Sequence, residues 1–206
     1  MNELDRMFSA SKSLTEYTEL YLQYLAKVLE KMDCESIAKM GQAILAARES
    51  GKKIIFFGNG GSAATASHFV NDIAIGTKSS HKPFKAMALT DNVAIITAIG
   101  NDNGYDEIFT KQLEVYLEAG DLIVAISASG NSPNIVKAVQ FCKRRGNTVV
   151  GITGFDGGEL RKACDINVHV QTEKAEYGPV EDVHMVLDHL LGSYLIRYVQ
   201  KELAQQ

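Results

Sequence analysis

Between Lys53 and Asp72 the chain joins three instructions that few architectures satisfy together. The apolar run Ile54–Phe57 ends in Gly58, Asn59, Gly60, Gly61 and Ser62, and Ala63 to Phe69 then continues in helix-like composition. A short run that is apolar at every position fits a strand covered on both faces, as in a parallel sheet. Glycines at its end bring bare backbone N–H groups against whatever lies there, and the positive end of the following helix dipole favours an anion. Asn59 and Ser62 add side-chain donors to the backbone of Gly60 and Gly61. No Gly-Lys-Ser/Thr follows, and the GxGxxG spacing with a later acidic residue is missing, so the loop is neither a Walker motif nor a dinucleotide fingerprint. A tight strand-to-helix turn with no ligand would use the same glycines for packing.

The rest of the chain repeats this alternation. Apolar runs at Lys53–Phe57, Lys85–Leu89, Leu122–Ile126, Thr148–Ile152 and Ile166–Val170 are separated by helical segments, and the stretch from about Val180 to Leu203 reads as one long helix. That order predicts an α/β fold, a three-layer αβα sandwich around a five-stranded parallel sheet. Pro83, Pro133 and Pro179 all fall outside the runs. Ahead of the first strand, Leu14, Tyr17, Tyr21, Tyr24, Leu25, Val28, Leu29 and Met32 recur at helical spacing behind a Ser13/Glu16 capping box. A second helix, Ser36 to Glu49, closes near Gly51. Residues 1–50 therefore read as a helical hairpin, either a surface for self-association or a cover for its own sheet. With no repeat or low-complexity tract, residues 1–206 are expected to form a single domain.

A formal charge of -4 and a pI near 5.7, with no long basic run, give no electrostatic case for nucleic acid or an acidic membrane surface. Cys34, Cys142 and Cys164 lack CxxC spacing and are expected as core thiols. The N-terminus lacks an apolar signal-like core, and no apolar stretch reaches membrane length, so a cytoplasmic protein is expected.

A second loop carries chemistry. Leu122–Ile126 runs into Ser127, Ala128, Ser129, Gly130, Asn131 and Ser132, with Pro133 at the first position of a helix. Three hydroxyls at a helix start form a neutral cradle for an anion, although a serine-rich turn with a helix cap would look alike. His68 and Asp72, at i and i+4 on the helix after the glycine loop, can face one point. That spacing suits metal ligation or acid–base work, and equally a core histidine beside a surface aspartate.

The GNGGS and ISASGNS loops, with His68–Phe69, Gly100–Asn101–Asp102, the GITGFDGGEL segment and the final helix, resemble the sugar isomerase (SIS) domain family, and within it the phosphoheptose isomerases. The resemblance spans nearly the whole chain and implies a flavodoxin-like sheet. It implies aldose–ketose isomerisation of a sugar phosphate, sedoheptulose 7-phosphate to D-glycero-D-manno-heptose 7-phosphate, through an enediol or enediolate. By it Asp72 would be the base and His189 the acid. Ser62, Ser127, Ser129 and Ser132, with Gly60 and Gly61, would hold the phosphate, and Asn59, Asp91, Asn101, Asp102 and Glu181 would meet the sugar. One zinc per site would be held by His68, Asp72, Glu181 and His189. A homotetramer with sites shared between subunits is also implied, with the hairpin as its interface. Asp182, His184 and Asp188 share the last helix and read as supporting or solvent-facing groups.

Three positions depart from the family's pattern. Its usual catalytic glutamate is Asp72, one methylene shorter; its usual glutamine is Glu181, which adds a negative charge; and a threonine of the serine loop is Ala128. Two rivals keep the fold: a non-catalytic phosphosugar-binding regulator of the replication-initiation type, and an isomerase of another phosphosugar such as arabinose 5-phosphate.

Overall fold

The computed structural model describes residues 1–79 and 81–205. The apolar runs become β1 Lys53–Gly58, β2 Lys85–Ala88, β3 Leu122–Ser127, β4 Thr148–Gly154 and β5 Ile166–Val170. They pair in the order β2-β1-β3-β4-β5, parallel throughout. The central strands are buried along their length because both faces are covered. Ile54, Phe56, Val124, Ile126, Val150 and Ile152 pack one way; Ile55, Phe57, Ile123, Ala125 and Val149 pack the other.

The helices fall into two layers. The first holds α3 Cys34–Glu49, α4 Gly61–Val70 and α9 Tyr177–Leu203, contributing Met40, Ile44, Phe69, Leu187, Leu191 and Leu195 to the first face. The second holds α6 Thr110–Tyr116, α7 Pro133–Arg144 and α8 Gly158–Ala163, with Leu113, Ile135, Val139 and Leu160 on the other face. A further helix, α5 Val93–Asp102, follows β2. The strand order reverses between β1 and β3. Open parallel sheets offer a ligand crevice at such a point, beyond the carboxyl ends of the strands. Here those ends run into the glycine loop and the serine loop, with Gly58 in register against Ile126.

The N-terminal region holds three helices, not two: α1 Glu3–Ala10 precedes α2 Leu14–Glu30 and α3. Asn2 and Asp5 close a capping box on α1. Ser13 caps α2 through the Glu16 N–H as expected, but the Glu16 carboxylate accepts from the Lys12 N–H (2.6 Å) rather than from Ser13. The apolar stripe of α2 is divided in its use. Val28 is buried, and Tyr24, Leu25, Leu29 and Met32 pack with Phe155, Val180 and Val183 of their own chain, while Leu14 and Leu22 stay exposed. Glu176, fully buried, ties the region down: it accepts from the Tyr24 hydroxyl and from the Glu3 N–H (2.7 Å). Of the three thiols expected in the core, only Cys142 is buried; Cys34 is exposed and Cys164 lies between.

Candidate active site

The two loops meet in a pocket of about 100 Å³ lined by Asn59, Ser62, Ser127, Ser129, Ser132, Tyr177 and Glu181, with Ala128 in its wall. Both α4 and α7 begin there, and neither has a side-chain cap. The positive ends of two helix dipoles thus face one small space, which favours an anion, although at α7 Pro133 has no N–H and the Ile135 N–H is taken by Asn134 Oδ1 (2.9 Å). The serine loop is internally braced: Gly130 N–H donates to Ser127 Oγ (3.1 Å) and Asn131 N–H to Ser129 Oγ (3.3 Å). Gly130 is required by its backbone, with φ at 65° and space so tight that a Cβ would lie 1.9 Å from the Gly157 carbonyl oxygen.

Asn59 is held from both sides. Its Nδ2 donates to Asn134 Oδ1 (3.0 Å), and its Oδ1 accepts from Asn134 Nδ2 (2.9 Å) and the Tyr105 hydroxyl (3.1 Å). This amide pair fastens the glycine loop to α7. Asn134 is almost fully buried. Neither it nor Tyr177 stood out in the sequence, although Asn134 directly follows the Pro133 that marks the helix start.

The second half of the site lies along α4 and α9. His68, Asp72, Asp188 and His189 each offer a ligand atom, and these atoms lie within 4.8 Å of one another. His68 Nδ1 is hydrogen-bonded to Asp188 Oδ2 and stands 3.8 Å from Asp72 Oδ2. The His68 and His189 rings meet edge to face with centroids 5.2 Å apart. Asp72 is not on a continuous α-helix. Asn71–Gly76 form a π-helical turn after α4, a geometry that recurs at functional sites, and Asn71 Nδ2 donates to Asp72 Oδ1 (2.9 Å).

Of the two places expected for Asp188, supporting or solvent-facing, the structure excludes the second, since Asp188 is turned inward against His68. It is fully buried, and its Oδ1 has no hydrogen-bond partner. Burial pushes its carboxyl above the usual range; the bond to His68 pulls it back, and the charge of Asp72 adds to the rise. A buried carboxylate with one unpartnered oxygen, grouped with two imidazoles and a second carboxylate, is the donor set of a divalent-ion site.

Glu181 is not brought into that group. Its carboxylate lies over the start of α4, where a Cβ on Gly61 would meet Oε2 at 2.3 Å. Burial, then the charge of Asp182, raises its pKa. The cause of the separation is register. Gly61 faces Glu181, His68 faces Asp188, and a Cβ on Gly192 would meet Asp72 Cβ at 3.4 Å. Each pair differs by the same number of residues, so α4 and α9 run parallel and in step. Glu181 therefore belongs to the loop end of the seam, and Asp188 and His189 to the other end.

The remaining residues of interest are spread more widely. Asp91 accepts from Ser67 Oγ on α4, between the two ends. Asn101 and Asp102, exposed at the end of α5, bond each other (2.8 Å) and are not brought to the pocket within one chain. His184 is fully buried with both ring nitrogens unpartnered, and burial lowers its pKa to about 4.

This fold and site define the class: the chain belongs to the SIS domain family, whose model matches residues 16–154. Its relatives are more particular. It is 36% identical over 167 residues to the phosphoheptose isomerase of Aliarcobacter butzleri, an alignment covering 81% of this chain and 87% of the relative. It is 37% identical to the probable phosphoheptose isomerase of Thermoplasma acidophilum, covering 83% and 93%. The solved structure of phosphoheptose isomerase from Neisseria gonorrhoeae superposes with a TM-score of 0.79 at 31% identity, over 89% of this chain and 98% of that one. Among the described residues no helix is long and apolar enough to cross a membrane.

Proposed function

We propose that this protein is an aldose–ketose isomerase that converts sedoheptulose 7-phosphate to D-glycero-D-manno-heptose 7-phosphate through an enediol or enediolate. The observation that carries this reading is the arrangement of one seam: a pocket lined by hydroxyls and amides, with the Glu181 carboxylate at its edge, at one end and an acid–base cluster at the other. Gly61 and His68 are separated by seven residues of helix, about 10 Å at 1.5 Å per residue. That span suits an extended sugar whose terminal phosphate sits in the loops while its carbonyl end reaches the cluster. The name phosphoheptose isomerase, carried by relatives, supports a phosphorylated heptose as the sugar.

Ser62, Ser127, Ser129 and Ser132 hold the phosphate with the N–H groups of Gly60, Gly61 and the start of α7. Asn59, Asp91 and Glu181 line the way to the reacting carbons, with Asn101 and Asp102 supplied by a neighbouring copy. Remote binding of the phosphate holds those carbons in register. Asp72 removes the proton from the carbon beside the ketose carbonyl, and His189 protonates the carbonyl oxygen. Return of a proton to the former carbonyl carbon, with loss of one from the hydroxyl of the carbon that Asp72 deprotonated, makes that carbon the aldehyde and completes the aldose without net oxidation.

His68, Asp72 and His189 would hold one divalent ion, zinc in this reading; when bound, it supplies positive charge for the oxygens of the enediolate. The protein is read as a cytoplasmic homotetramer. Support comes from exposed Val186, Leu190 and Tyr194 along α9 and from an apolar groove of about 410 Å³ between α3 and α9.

The test is a phosphosugar panel headed by sedoheptulose 7-phosphate, run with added zinc and with chelator, alongside light scattering. Turnover of the heptose above all other sugars, by a tetramer, is expected. Tight phosphosugar binding without turnover would make the protein a regulator, and a clean monomer would remove the shared site.

A further inference from the structure

Resting on the metal site proposed above, we infer that Asp188 completes it and that Glu181 is not a ligand. Metal would then be held by two consecutive residues of α9, Asp188 and His189, facing His68 and Asp72 on the α4 side. Glu181 stays with the sugar and phosphate.

Three observations converge. The ligand atoms of His68, Asp72, Asp188 and His189 already lie within 4.8 Å of one another. Asp188 is fully buried, yet Oδ1 has no partner, and among the described residues neither Asp188 nor Asp72 pairs with a lysine or arginine. Two carboxylates this close, one without solvent, repel unless a cation lies between them. The groups beside the pair are the imidazoles of His68 and His189, and a divalent ion bound among them would neutralise it more completely. The third observation is the register of the helices. Glu181 lies seven residues before Asp188, about 10 Å back along the helix, and its carboxylate is packed over Gly61. To reach the metal it would have to leave the loop end, whereas Asp188 has only to share an oxygen already aimed there.

This arrangement also gives the Glu181 departure a role. A carboxylate at the edge of the pocket offers an acceptor to sugar hydroxyls. The metal keeps its carboxylate count because Asp188 supplies it.

The experiment reads cobalt(II) bound to the full-length protein and does not use turnover. Wild type is expected to bind one cobalt(II) per chain with tetrahedral absorption bands. Asp188→Asn should weaken binding at least about tenfold, since even supporting groups around a metal are worth that much. Glu181→Gln should leave cobalt(II) affinity close to that of wild type, because its carboxylate lies about 10 Å back along the helix. As a positive reading, Asp188→Cys should show a sulfur-to-cobalt charge-transfer band and Glu181→Cys should show none. Circular dichroism in chelator checks that each variant folds. If Asp188→Asn does not fold, the cysteine pair decides. The reverse pattern, a band from Glu181→Cys and wild-type affinity in Asp188→Asn, overturns the assignment, as does wild type that binds no stoichiometric metal. Because turnover is never read, a protein that binds metal in this way but isomerises no sugar phosphate breaks the proposed activity alone.

Discussion

At the Gly61–Glu181 end of the seam, backbone N–H groups and hydroxyls wait for an anion; at the His68–Asp188 end, four titratable side chains crowd one point. As a phosphate site the loop end would rely on neutral dipoles fixed by short local motifs, and would lose little when one donor goes. The cluster end depends on charges assembled across the fold, and each has a distinct task. Binding can be spread over many weak groups, while proton transfer concentrates on a few.

The largest effects should therefore appear at the cluster. Asp72→Asn and His189→Ala are each expected to lower kcat by at least about a hundredfold, the usual worth of a positioned acid or base, with KM little changed. Steady-state assays on folded variants would measure this. A loss of only a few-fold would mean that the two ends do not differ as described.

Next come the supports. His184 has a folded pKa of about 4, below its ordinary 6.5. The unfolded chain therefore takes up a proton that the folded chain refuses, and stability falls as pH drops from about 6.5 toward 4. The full loss is roughly 3 kcal/mol, reached below both values. Urea denaturation at pH 7 and pH 4.5 should show it, and His184→Leu should flatten the slope. His169, also lowered by burial, leaves a smaller remainder.

Glycines test how rigid each loop is. Gly130→Ala drives a Cβ into a backbone carbonyl at positive φ and should cost at least about 2 kcal/mol of stability. Gly61→Ala meets only the end of the Glu181 side chain, which can swing aside, and should cost less than about 1 kcal/mol. Equal costs in thermal or urea melts would contradict the contrast. The smallest effect is reserved for the phosphate cradle. Ser132→Ala removes one neutral hydrogen bond, about 1 kcal/mol, and should raise KM roughly fivefold at nearly constant kcat.

How much of this was legible in the sequence follows the same division. The strands could be read because apolar residues on both faces leave an unbroken run, and both loops could be read because glycine, serine and proline act locally. His68 and Asp72 are close in sequence, so spacing suggested their convergence, though not the π-helical turn that carries Asp72. Asp188 reads as supporting or solvent-facing, and sequence cannot choose because its contact with His68 joins segments far apart in the chain; only the packing of α9 on α4 turns it inward. Glu181 was grouped with the metal ligands by resemblance, whereas helix register sets it two turns away. The stripe of α2 showed its period but not that part of it covers its own chain. The first helix, α1, was passed over although Asn2 and Asp5 have capping-box spacing.

Since α4 and α9 advance in step, the distance from anion pocket to acid–base centre is counted in helical residues and cannot be tuned continuously. It changes by 1.5 Å with each residue inserted, and only a whole turn, about 5.4 Å, restores the facing side chains. A sugar phosphate one carbon longer or shorter falls between those steps. The fold thus measures its substrate with a ruler marked in turns, and a shift to another chain length calls for altered loops at the ends rather than a graded stretch of the helices.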